Sequence, residues 1–95
     1  MNSRFQWNDV KTAANHRKHG VDFETASEAF DDPFAIEDLD ARVENGEYRY
    51  RLIGRGGGKL LAVIYTLRGE SIRIISARQS TRQEHDRYYR ENSQE

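Results

Sequence analysis

The chain has 95 residues, no cysteine and a formal net charge of -1, which is long enough for one hydrophobic core and too short for two. Thiolate metal sites, thiol nucleophiles and disulfides are excluded, so any chemistry falls to His, carboxylates, Arg, Lys, Tyr, Ser or Thr. Apolar residues make up 36% and charged residues 33%, with enough Ile, Leu, Val, Phe and Tyr for a folded domain.

The near-zero net charge hides an uneven distribution. From Asp22 to Glu47 ten acids stand against one base, Arg42, whereas from Arg49 to Arg82 eight bases stand against one acid, Glu70. Such a split suits a protein that offers one surface to a polyanion and another to a basic partner. The N-terminal residues carry no apolar stretch of the secretory kind, and the longest hydrophobic run, Leu60 to Tyr65, is too short for a bilayer. A cytoplasmic protein with no membrane contact is the expectation, as a single domain over 1–95 whose residues 92–95 fray.

In chain order, Phe5 to Trp7 reads as a short strand, and Asn8 or Asp9 caps a helix through Lys18 that Gly20 closes. Lys18 and His19 then place positive charge at the helix carboxyl end. Behind the acidic cap Asp22, the helical spacing of Phe23, Ala26 and Phe30 predicts a second helix, stopped at Asp31-Asp32-Pro33. Beyond Pro33 the pattern alternates as in a strand, Glu44-Asn45-Gly46-Glu47 signals a turn, and Tyr48, Tyr50 and Leu52 alternate with Arg49, Arg51 and Ile53. Arg55 to Lys59 is expected to be a flexible loop, Leu60 to Thr66 a central strand, Arg68-Gly69-Glu70 a tight turn and Ser71 to Arg78 the last strand. Thr81-Arg82-Gln83-Glu84 is a capping box opening a helix to about Arg90. The order β-α-α-β-β-β-β-α predicts an α+β fold, an antiparallel sheet covered by helices on one face.

The arginines are the first candidates for chemistry. Arg49 and Arg51 share a strand face, Arg73 projects from the last strand and Arg78 sits at its end. Guanidinium groups offer a planar fork of donors that is always charged, so several on one face can bind phosphates. Tyr65, Tyr88 and Tyr89 could add stacking surfaces for unpaired bases. Arginines on an exposed sheet are, however, also common partners of Glu. His16 and His19 lie three apart on one helix face, but without an accompanying carboxylate or cysteine ligand no metal site is expected. Imidazoles titrate near neutrality, which makes His19 a candidate proton acceptor as well as a charge complement to its helix. The run Gly54-Arg55-Gly56-Gly57-Gly58-Lys59 lacks the spacing and the strand-to-helix context of a phosphate loop, so no cofactor is expected.

Several segments carry a resemblance. They are Trp7-Asn-Asp9-x-Lys11, Asn15-x-x-Lys18-His19-Gly20-Val21-x-Phe23, Phe30-x-Asp32-Pro33, Gly46-Glu47-x-Arg49, Val63-x-Tyr65-Thr66-x-Arg68, Ile72-Arg73-Ile74-Ile75-Ser76-Ala77-Arg78 and Thr81-x-x-Glu84-x-x-x-Tyr88. Together they resemble the BrnT toxin family over nearly the whole chain, with departures at Ser80 and His85. The resemblance implies a RelE-like fold, RNA cleavage that inhibits translation, and a BrnA-like antitoxin with a ribbon-helix-helix part through which alone DNA would be contacted.

Residue roles follow from chemistry, not from the resemblance. Attack of a ribose 2′-OH on its own phosphate, without metal, needs a base, cations at the phosphoryl oxygens and an acid for the leaving oxygen. Arg73 and Arg78 are assigned to charge stabilisation. Arg49, Arg51, Arg68, Tyr65 and Lys18 are assigned to RNA binding, Glu84 or His19 to proton acceptance, and Tyr88 to stacking or proton donation. Glu84 also has the plainer role of completing the capping box. The competing expectation is a non-catalytic module that holds a DNA-binding antitoxin, told apart by whether the free protein cleaves RNA. Direct DNA recognition is disfavoured, because the bases fall on strands and loops and no helix-turn-helix pattern is present. A homodimer, which would give so small a domain extra buried surface, stays open.

Overall fold

The computed structural model describes residues 4–43 and 46–93. Its elements are β1 (Phe5–Gln6), α1 (Asp9–His19), α2 (Phe23–Ser27) leading into a 3₁₀ turn (Glu28–Asp31), β2 (Ile36–Arg42), β3 (Tyr48–Gly56), β4 (Lys59–Arg68), β5 (Ser71–Gln79) and α3 (Arg82–Glu91). Glu44 and Asn45 of the expected turn, and the last two residues of the expected tail, lie outside the described residues. Among the described residues no helix is long and apolar enough to cross a membrane.

Local chemistry sets the helix ends. The Asn8 side chain accepts from the Val10 and Lys11 N–H groups at 2.8 and 3.1 Å, and Asp22 accepts from Thr25 N–H at 2.7 Å. Asp32, held extended before Pro33, ends the 3₁₀ turn. Its carboxylate then ties three segments together, accepting from Phe34 N–H, Arg55 N–H and the Tyr88 hydroxyl at 2.9, 2.9 and 2.8 Å.

The sheet has five strands in the order β1-β5-β4-β3-β2. β2 to β5 form the expected antiparallel meander, but β1 joins β5 in parallel, Phe5 beside Ile72 and Gln6 beside Arg73. The sheet is therefore mixed, because the chain leaves β1 through α1 and α2 before entering the meander at the opposite edge. The glycine run is also tighter than expected. β3 continues to Gly56 and β4 starts at Lys59, leaving Gly57 and Gly58 as a turn with φ of 60° and 77°, the left-handed pair that a two-residue hairpin requires.

Helices cover both faces, not one. Leu52, Leu61, Val63, Tyr65, Ile74 and Ala77 face α1, α2 and the 3₁₀ turn through Val21, Phe23, Ala26 and Ala29. Ile53 and Leu60 alternate onto the other face, where Tyr88 of α3 packs on them with Ile36. A central pair of strands that is apolar on both sides needs cover on both. Past the two-residue β1 the outer edge of β5 is closed by α1: buried Asn15 donates to the Val21 and Ala77 carbonyls, both at 2.7 Å, and accepts from Ala77 N–H at 3.3 Å.

Candidate nucleic-acid interface

Arg49 and Arg51 alternate with the core-facing Tyr50 and Leu52 and so project onto the α3 face of the sheet. Across the strands, Arg73 pairs with Thr66 and Arg78 with Ala62 on that same face. Strict alternation would send Arg73 and Arg78, five positions apart, to opposite faces. A β-bulge prevents this: Ile64 pairs with Ser76 and the next pair is Tyr65 with Ile74, which leaves Ile75 as an extra residue in β5. The four arginines thus surround a floor of Ile64, Thr66 and Ser76.

α3 lies across one end of this face, fixed by an alternating chain of charges. Glu84, only 6% exposed, accepts from Arg78 through both oxygens at 2.8 and 3.0 Å and from Arg51 at 3.1 Å. The same carboxylate accepts from Thr81 N–H at 2.9 Å, so the expected capping box is formed. Arg51 continues to Asp38 at 3.3 Å, Asp38 to Arg87 at 2.6 Å, and Arg87 to Glu91 at 2.8 Å. Burial works to raise the Glu84 pKa, but the hydrogen bonds from Arg78 and Thr81 and the charges of Arg78 and Arg51 outweigh it and bring it to about 2. The hydrogen bond to Glu84 raises the Arg78 pKa in turn. Arg49 and Arg73 differ, having no ion-pair partner among the described residues. The buried Nε atoms of Arg49 and Arg51 and Oδ1 of Asp38 also lack a hydrogen-bond partner there.

The other expected site residues divide. Arg68 follows Thr66 on the same strand face and is exposed. Lys18 and His19, exposed at the end of α1, line an open depression of about 270 Å³ with Lys11, Ile75 and Ser76, so the bulge borders both this depression and the arginine face. Tyr65 does not join them. It is 7% exposed on the opposite face, edge-on to Phe30 and stacked on Tyr50, with its hydroxyl donating to Glu37. Burial and Glu37 raise its pKa. A ring held there presents no surface to a base. Tyr88, 3% exposed beneath α3, donates to Asp32, and burial followed by that hydrogen bond raises its pKa. Tyr89 is partly exposed and lies against Arg55 and His85.

Sequence reasoning missed Asp38, Thr66 and Ser76, whose proximity depends on strand pairing, and Arg87, which the seat of α3 on the sheet brings to Asp38. Asn15 had one signal, an amide on the inward side of α1. Among the described residues no group of three or more His, Cys, Asp or Glu could hold a metal ion.

Against this geometry, residues 7–84 match the family model described as ribonuclease toxin, BrnT, of type II toxin-antitoxin system. The chain belongs to the BrnT family. No curated protein matches it significantly. BrnT membership makes this a ribonuclease toxin family with a cognate antitoxin as its implied partner. The matched segment takes in Arg49, Arg51, Arg73, Arg78 and Glu84, the whole arginine face with its carboxylate anchor, and stops within the first turn of α3.

Proposed function

We propose that the chain is an endoribonuclease toxin that binds RNA along the arginine face and cleaves it by attack of a ribose 2′-OH on the adjacent phosphate. The O2′–P bond forms and the P–O5′ bond breaks, leaving a 2′,3′-cyclic phosphate and a 5′-hydroxyl. The observation that carries this reading is the gathering of Arg49, Arg51, Arg73 and Arg78 on one sheet face by the bulge at Ile75, in a chain of a ribonuclease family. Arg73 places positive charge beside the phosphate, with Arg49 and Arg68 along the flanking backbone and Arg78, its terminal nitrogens held by Glu84, at the edge of the site.

Of the two candidate proton acceptors, His19 takes the role. The Glu84 carboxylate is occupied by Arg78, Arg51 and Thr81 and titrates near 2, far below the range in which a base works efficiently at neutral pH. His19 accepts the 2′-OH proton from the rim beside Ser76, with Lys18 next to it, and water protonates the departing 5′ oxygen. Tyr65 and Tyr88 have no part in the step. Inhibition of translation, a RelE-like ancestry for the sheet, and neutralisation by a BrnA-like antitoxin with a ribbon-helix-helix part complete the reading.

The test is growth and RNA cleavage. Expression of the chain alone should arrest growth, co-expression of its antitoxin should relieve the arrest, and the purified protein should cut RNA with EDTA present. Arg73→Ala should lower the cleavage rate about 100-fold, the size seen when one transition-state donor is removed. A folded protein that neither arrests growth nor cuts RNA overturns the reading in favour of a binding module. A folded Arg78→Ala that cuts at the parental rate removes Arg78 from the site.

A further inference from the structure

The arginines of the face are in two different states. Arg51, Arg78 and Arg87 are balanced by Asp38, Glu84 and Glu91, three cations against three anions in one connected chain. The terminal nitrogens of Arg78 both donate to Glu84, so the fork that would grip a phosphate is already filled. Arg49 and Arg73 remain outside this balance, two positive charges with no ion-pair partner among the described residues.

Their placement is symmetric about one side chain. Arg73 pairs with Thr66 across β4 and β5, and continuing the β3–β4 register one step beyond Tyr50 and Tyr65 sets Arg49 on the other side of Thr66. Two strand spacings separate their backbones, roughly 10 Å, a distance that two guanidinium groups can close around a single tetrahedral anion. Thr66 itself is buried, and its hydroxyl donates to Tyr48 O at 2.7 Å, so it forms a floor and leaves the donors to the arginines. The Arg49 Nε is buried without a partner. A buried cationic N–H left unpaired is costly, and an Arg49 side chain that turns to meet an anion would relieve that cost.

We propose that Arg49 and Arg73 form a phosphate subsite over Thr66 that holds one phosphodiester of a single-stranded polynucleotide, with the Glu84-bound pair Arg51 and Arg78 as its scaffold. The class of the ligand rests on the ribonuclease reading, while the site itself rests on the geometry. Arg49 moves from the flanking backbone to the centre.

Two measurements on the full chain test this. In the first, inorganic phosphate is titrated while the arginine Nε–H resonances are followed by NMR. Those of Arg49 and Arg73 should shift and saturate while that of Arg78 stays in place; a saturable shift confined to other arginines, or none at all, overturns the subsite. In the second, binding of a 2′-deoxy oligonucleotide, which cannot undergo 2′-OH attack, is followed by anisotropy at several salt concentrations. The double variant Arg49→Ala/Arg73→Ala should flatten the slope of log K against log salt by about 0.7, the value for one phosphate contact on a single strand, and each single variant should lose affinity with a smaller change of slope. Arg49→Lys should keep the slope and lose affinity, since it keeps the charge without the fork. Arg82→Ala, at an exposed α3 position paired to Asp86, is the control, and an Arg49→Ala protein that binds as Arg82→Ala does overturns the proposal. Saturable shifts at Arg49 and Arg73 in a protein that cuts no RNA would keep the subsite and discard the ribonuclease reading. RNA cleavage without those shifts would do the reverse.

Discussion

Replacing Glu84 by Gln removes one charge and turns the oxygen that accepts from Arg51 and Arg78 into an NH2 donor. Glutamine has nearly the same shape and can still accept from Thr81 N–H, so the capping box survives. What disappears is the anion that Arg78 and Arg51 share. Glu84 lies at about 2 against an ordinary value of 4.5, and each pKa unit is worth ~1.4 kcal/mol, which gives roughly 3 kcal/mol. The partly solvated forks of Arg51 and Arg78 reduce this to about 2 to 3 kcal/mol at neutral pH. In a chain of this size that corresponds to a fall in Tm of roughly 10 to 20 °C. The pH dependence has a definite sign. Because the folded pKa is depressed, the stabilisation is complete above the unfolded value near 4.5 and is lost as pH falls towards 2. Urea unfolding of parent and Glu84→Gln at pH 7, 4 and 2.5 should show a wide gap that closes with acid. A gap under about 0.5 kcal/mol at pH 7, or one independent of pH, would refute the assignment of Glu84 as the anchor of α3.

Three further substitutions probe other parts of the fold. Asn15→Ala leaves the Val21 and Ala77 carbonyls and the Ala77 N–H without their side-chain partner and should cost about 2 to 4 kcal/mol, seen in urea unfolding and in faster amide exchange at Ala77. Gly56→Ala places a Cβ 2.7 Å from the Thr25 carbonyl oxygen and 3.0 Å from Leu61 Cδ1. The resulting strain, of order 1 to 3 kcal/mol, should appear as a lower Tm. Tyr88→Phe loses the 2.8 Å bond to Asp32 and should cost about 1 kcal/mol in unfolding experiments, yet leave the RNA cleavage rate unchanged; a rate loss at unchanged fold would return Tyr88 to the chemistry.

What the sequence revealed was what its neighbours decide. The caps at Asn8 and Asp22 and the box at Thr81 and Glu84 are satisfied within four residues, so side-chain chemistry and spacing were enough to place them. The fold class and the β2–β5 meander followed from alternation and turn residues in the same way. Three features depend on distant segments and left no local trace: the parallel seat of β1 on β5, the crossing of α3 over the second face, and the bulge at Ile75. Tyr65 departs from its sequence-based expectation for a related reason. Its position in the run from Leu60 marks a core strand, yet a tyrosine reads equally as a stacking surface until the opposite layer is known.

Glu84 joins the two kinds of information. The Thr81-x-x-Glu84 spacing marks a helix start, and that reading is correct, but it accounts for only part of the carboxylate's bonding. Once α3 lies over the sheet, the same two oxygens take the donors of Arg51 and Arg78. A residue identified locally as a cap therefore becomes, through the fold, the group that fixes which arginines are occupied and which remain for a ligand. Its loss should lower stability and also release Arg78, while Arg51 keeps Asp38, so the Glu84→Gln protein that unfolds earlier should also bind the 2′-deoxy oligonucleotide with a steeper salt dependence, by up to about 0.7 where the freed Arg78 reaches a phosphate. An unchanged slope would mean that Arg78 stays clear of the ligand even when unpaired.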